Sequence, residues 1–112
     1  MKYKVIPIPK FKKEARRLIN KFPSLKYELY LFEKELSDNP HVGIGLGNNT
    51  YKIRLAIKSK GKGKSGGARI ITYLLDKDFE IYLLSIYDKS EMDNVNDYTL
   101  RNLIAEIQGK NN

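Results

Sequence analysis

Apolar positions change period along this chain, and each change marks an element. Residues 3–9 (YKVIPIP) are β-branched and aromatic with two prolines, which predicts a strand at a sheet edge, where a missing backbone donor is tolerated. From Lys10 the spacing becomes helical: Phe11, Ala15, Leu18, Ile19 and Phe22 form one stripe, which Pro23 ends. Ser24 is placed to cap a second helix, in which Leu25, Leu29, Phe32 and Leu36 repeat the stripe up to the stop SDNP at 37–40. So short a joint predicts an antiparallel helical hairpin. Residues 41–49 (HVGIGLGNN), with three glycines and two asparagines, read as a loop.

The period then drops to two. Tyr51, Ile53, Leu55 and Ile57 alternate with Lys52, Arg54, Ala56 and Lys58, which predicts a strand with one apolar face and one basic, solvent-facing side. Residues 58–67 (KSKGKGKSGG) are too glycine-rich for regular structure and predict a long, flexible, basic connection. Ala68–Leu75 and Phe79–Tyr87 read as two strands of a meander around the turn DKD. Leu100, Leu103, Ile104 and Ile107 give a third helical stripe, capped by Asn96 or Asp97. The expected order is β-α-α-β-β-β-α: an α+β architecture over residues 1–112 as one domain, with the helices on one face of a mostly antiparallel sheet.

Charge sharpens this picture. The net charge is +8, yet from Asn39 to Leu75 there is no Asp or Glu. That window holds Lys52, Arg54, Lys58, Lys60, Lys62, Lys64 and Arg69, seven bases, while the remainder has 14 bases against 13 acids. A field so concentrated is the footprint of a polyanion binder. It does not lie on an amphipathic helix, so a membrane surface is not the expected target. With no cysteine there is no disulfide framework, thiolate metal site or thiol nucleophile. The opening MKYKVIPIPK has no apolar run of signal-peptide length, and a cytoplasmic protein is expected.

Several kinds of site are excluded. His41 is the single histidine, so paired-histidine RNA cleavage and a multi-histidine metal site both fail. The run GKGKSGG misses the phosphate-loop spacing and lies between two strands. The basic window has no carboxylates for a two-metal nuclease. What remains is Lys52, Arg54 and Lys58 on one strand face, Arg69 opening the next strand, and Tyr87 and Lys89 at the end of the last. Cleavage of RNA by its own 2′-hydroxyl needs a proton acceptor, charge stabilisation at phosphorus and a proton for the leaving oxygen. Arginine forks, lysines and a tyrosine hydroxyl are chemically suited to these tasks, and equally suited to gripping phosphate without chemistry. Residue pattern alone leaves both readings open.

The segments Y51-K-I-R-L55, G67-A-R-I-I-T-Y73 and I81-Y-L-L-S-I-Y-D-K89, in this order after a helical hairpin, resemble the RelE/ParE toxin superfamily. The glycine-lysine run and the YDKSE at 87–91 look most similar to its HigB branch. The resemblance spans roughly residues 10–105 and implies a RelE-like, microbial-RNase-like fold. It further implies a toxin of a type II toxin–antitoxin system that cleaves messenger RNA on the ribosome without a metal or other cofactor, held in check by a cognate antitoxin. By position, Lys52 and Arg54 match the family's basic pair and Arg69 its next arginine. Lys89 falls near an arginine of RelE proteins. The tyrosine departs from the pattern: RelE proteins place it several residues after that base, whereas Tyr87 precedes it by two and Tyr98 belongs to the last helix. Lys58, Lys60, Lys62 and Lys64 are expected to touch RNA or the ribosome. The alternatives are a gyrase-inhibiting toxin like ParE, which shares the fold, and a non-catalytic RNA-binding module.

Overall fold

A computed structural model describes residues 2–61, 66–92 and 94–110. The helical hairpin forms as the stripes predict: α1 spans Pro9–Lys21 and α2 Leu25–Asp38, after a short strand β1 at Lys4–Pro7. Proline in the first turn of α1 suits a position whose amide has no helical partner. The hydroxyl of Ser24 does not cap α2. It meets Glu28 and Ser59 instead, so it ties the helix to the chain after β3 rather than to its own amides.

The expected loop at 41–49 contains a strand. β2 (Ile44–Gly47) pairs antiparallel with β3 (Thr50–Leu55) across a two-residue turn at Asn48 and Asn49, whose φ values are 52° and 61°. Left-handed backbone at both central residues is the turn whose twist matches a hairpin, and asparagine tolerates it. Here the glycine-asparagine composition made a tight hairpin rather than an irregular loop. β4 (Ala68–Leu75) and β5 (Glu80–Asp88) follow as the expected meander, and β1 joins β5 in parallel. The order across the sheet is β1-β5-β4-β3-β2.

β4 is buried on both faces, and the two faces belong to different cores. Ile53, Ile70, Leu74, Ile81, Leu83 and Ile86 pack beneath α1 and α2. Ile71, Tyr73, Leu84 and Tyr87 pack beneath the last helix, α3 (Asp97–Lys110), through Leu100, Ile104 and Ile107. The helices therefore sandwich the sheet instead of sharing one face, because the even and odd positions of β4 are both apolar. Asn96 caps α3: its side-chain oxygen accepts from the amides of Tyr98 at 2.7 Å and Thr99 at 3.3 Å.

A register shift opposite Ile71 and Thr72 makes Leu84 an extra residue of β5. Before it, odd-numbered side chains face α1 and α2; after it Ile86 does, and Tyr87 moves to the α3 side. A bulge re-aims side chains in this way. Leu84 itself is fully buried. Leu84→Ala should therefore cost about 2–5 kcal/mol, measured as a lowered urea midpoint with unchanged slope.

Candidate functional site

The register carries three of the expected residues into one line. Arg54 lies opposite Arg69, and Arg69 opposite Tyr87, across β3, β4 and β5. Cross-strand neighbours of this kind have Cβ atoms about 4.5–5.5 Å apart. Lys52, paired with Ile71, stands in the next same-face row, about 7 Å along the strand. Its ammonium donates to the Asn94 side-chain oxygen at 2.9 Å, so the segment leading into α3 passes beside it. Lys89 follows β5 in a turn, and its amide donates to the Gly67 carbonyl at 3.0 Å. The site thus sits at one end of the α3 side of the sheet, where β3, β4 and β5 deliver Lys52, Arg54, Arg69 and Tyr87 and the turn after β5 carries Lys89.

Burial differs sharply among them. Arg54 is exposed and Lys52 and Lys89 are half-buried, but Arg69 is 5% exposed and Tyr87 3%. The basic face is therefore not open to solvent throughout, because α3 and the turn after β5 lie against it. Arg69 donates through Nη1 to the Ala68 carbonyl at 3.2 Å, which fixes the guanidinium close to its own strand. Like charges directly opposite each other repel. Arg54 lies directly opposite Arg69, and strands β3 and β4 carry no acid.

Lys60 is where the loop expectation fails. Residues 58–60 form a single 3-10 turn, and the Lys60 side chain is 11% exposed, its ammonium ion-paired with the buried Asp88 carboxylate. It also donates to the Gly66 carbonyl at 2.8 Å and Ser90 Oγ at 3.1 Å. Both ends of the 60–66 connection are thus clamped to the end of β5, and Lys60 is not presented to a polyanion. Gly67 is needed at the closing step, since a Cβ there would sit 2.2 Å from the Leu55 carbonyl oxygen. Lys58 is exposed, with its amide donating to Glu28. Lys62 and Lys64 lie outside the described residues. The Lys60–Asp88 pair has no signature in the sequence: no spacing rule links residues 28 apart across a strand pair.

Burial alone would raise the Asp88 carboxyl, but hydrogen bonds from Lys60 and Ser90 outweigh it and hold the group below the usual carboxylate range. A depressed folded value stabilises the fold above the unfolded value, about pH 4, and that contribution is lost as pH falls through the folded value below it. Lys60→Met should strand a buried carboxylate, cost about 3–5 kcal/mol at pH 7, and flatten the acid limb of a stability–pH curve. Equal stability of variant and parent at pH 7 would show the pair is not closed in solution.

Among the described residues no group of three His, Cys, Asp or Glu is placed to hold a metal ion, and no helix is long and apolar enough to cross a membrane. No family model matches the chain. Solved structures do. An arginine-to-alanine double variant of the E. coli toxin RelE in the free state superposes with a TM-score of 0.63 at 17% identity, over 96% of this chain and 99% of that one. The isolated E. coli RelE toxin gives 0.59 at 18% identity, covering 94% and 98%. The intact E. coli RelBE toxin–antitoxin complex gives 0.59 at 20% identity, covering 77% and 95%. The chain has the RelE fold, as the sequence resemblance implied.

Proposed function

We propose, with the RelE fold as premise, that this protein is the toxin of a type II toxin–antitoxin pair, an endoribonuclease that cuts messenger RNA on the ribosome in the cytoplasm. The observation that carries the reading is the line Arg54–Arg69–Tyr87, flanked by Lys52 and Lys89, on strands β3 and β4 without acidic residues and at the end of β5. In the reaction the 2′-oxygen forms a bond to phosphorus and the bond to the 5′-oxygen breaks. The proton of the 2′-hydroxyl leaves to a base, and the departing 5′-oxygen gains one. Negative charge builds on the phosphoryl oxygens between these events, and Arg54 and Arg69 are the residues we assign to meet it. Lys52 and Lys89 bracket the line and supply further charge or proton transfer. Tyr87 is too buried to stack on a base with α3 in place, and the hydroxyl is the group we assign to the chemistry. No step assigned here needs a metal ion or cofactor.

The cognate antitoxin, the ribosome and messenger RNA are the partners this reading requires, and the RelBE complex among the structural neighbours supports the first. Gyrase inhibition without cleavage, as in ParE toxins, would give the Arg54–Arg69 pair no phosphoryl charge to stabilise.

Arg54→Ala and Arg69→Ala should each slow cleavage of ribosome-bound message roughly a hundredfold or more, measured by mapping message ends after induction. Their stabilities should separate. Arg54→Ala leaves the melting curve nearly unchanged, whereas Arg69→Ala, a buried truncation, lowers stability by about 1–3 kcal/mol. Tyr87→Phe keeps the packed ring and should still lose at least about tenfold in rate. Unaltered message ends in cells making the folded parent protein would refute the nuclease reading.

Salt dependence tests the connection separately. Substituting Lys62 and Lys64 with Gln should reduce the slope of log affinity for RNA against log salt by about 1.4, roughly 0.7 for each phosphate of a single strand no longer neutralised. An unchanged slope would remove the connection from the RNA-binding surface.

A further inference from the structure

On the same sheet side as Lys52 and Arg54, two adjoining cavities of about 250 and 360 Å³ open between the β2–β3 turn and α3. They share Asn48, Arg101 and Ile104. We propose that this cleft is a nucleobase subsite that receives a purine of the bound RNA and so sets which sequences are cut. The proposal rests on the RNA-cleaving reading and adds the specificity that the cationic line lacks, since phosphate contacts carry no sequence information.

Position comes first. Thr50 and Tyr73 line the cleft and pair with each other across β3 and β4. Thr50, Lys52 and Arg54 are successive same-face positions, about 7 Å apart. An RNA strand with its reacting phosphate at Arg54 and a neighbouring phosphate near Lys52 therefore brings a flanking nucleotide to the cleft mouth.

Both walls are held in place. On one side the two-residue turn at Asn48 and Asn49 is pinned to the sheet, where the Leu74 amide donates to the Asn49 carbonyl at 2.8 Å. On the other, Arg101, Ile104 and Gln108 form one stripe of α3, and Gln108 donates to the Tyr73 hydroxyl at 3.3 Å. The 45%-exposed Leu46 of β2 supplies apolar surface for a flat ring, and Ile104 of α3, mostly buried in the core beneath it, also lines the cleft. Such a slot suits an unstacked base of single-stranded RNA.

The polar groups select the class of base. A side-chain amide matches the N6 and N7 edge of adenine, and an arginine fork matches the O6 and N7 edge of guanine. Asn48 and Arg101 share the cleft with the Asp97 carboxylate; the first two both prefer N7, which pyrimidines lack, and Asp97 can accept from a base amino group such as that of guanine.

The test uses short fluorescent RNAs identical except for purine or pyrimidine at each position in turn, with affinity and cleavage on ribosomes both measured. The parent protein should favour a purine at one position by roughly 5- to 150-fold in affinity. The combined Asn48→Gly and Arg101→Ala variant should bring that preference to about twofold or less, with similar affinity for the pyrimidine RNAs. Glycine accepts the left-handed backbone at 48 and Arg101 is exposed, so the fold is kept, as circular dichroism will verify. Absence of a purine preference, its survival in the variant, or an equal drop in affinity for all sequences overturns the subsite. A purine preference that the variant loses, in a parent protein that cuts nothing, supports the subsite and refutes only the nuclease reading.

Discussion

The phase change at Leu84 is the constraint on which the candidate site depends. β5 must cover the helical-hairpin core with Ile81, Leu83 and Ile86, and it must also offer Tyr87 to the opposite side. A regular strand cannot do both, because its side chains alternate strictly. One extra residue resolves the conflict, and Glu14 of α1 sits at the irregularity, accepting from Ser85 Oγ at 3.0 Å and the Ile86 amide at 3.2 Å. The two cores then fix the register of β4 between its neighbours, since a slip of one residue would exchange Ile70 with Ile71 and carry Arg69 into the wrong layer. The alignment of Arg54, Arg69 and Tyr87 is thus a consequence of packing.

Electrostatics works against packing at this end of the sheet. Arg54 and Arg69 are cross-strand neighbours, and Arg69 is buried. The neighbouring Lys60–Asp88 ion pair lies beside them at the end of β5. Preorganised positive charge in a partly dehydrated site is what stabilisation of a phosphoryl transition state requires, because donors already in place need no reorganisation when charge develops.

Much of this is visible in the residues. Helical stripes at Phe11–Phe22 and Leu25–Leu36, and alternation at Tyr51–Lys58, are local patterns, and local patterns determine elements. The basic positions Lys52, Arg54 and Arg69 follow from alternation plus strand pairing. The second core does not follow, since ARIITYLL is apolar at both phases and does not say which helix covers which side. Nor does β2, where a hairpin and a loop require the same glycines and asparagines. Lys60 looks like its neighbours in a lysine-glycine run, and only the three-dimensional position of Asp88 distinguishes it. The cleft at Asn48 and Arg101 joins residues far apart in the chain and has no local signature.

The proposed function rests on one chemical claim: that the RNA's own 2′-hydroxyl is the nucleophile and that the cationic line stabilises its attack. The direct measurement is cleavage of ribosome-bound message carrying a single 2′-deoxy substitution at the mapped site, with analysis of the new ends from the unmodified message. The account predicts a 2′,3′-cyclic phosphate and a 5′-hydroxyl from the unmodified message, and no cut at the substituted position. A 5′-phosphate end, or cleavage that persists at the deoxy position, would contradict it.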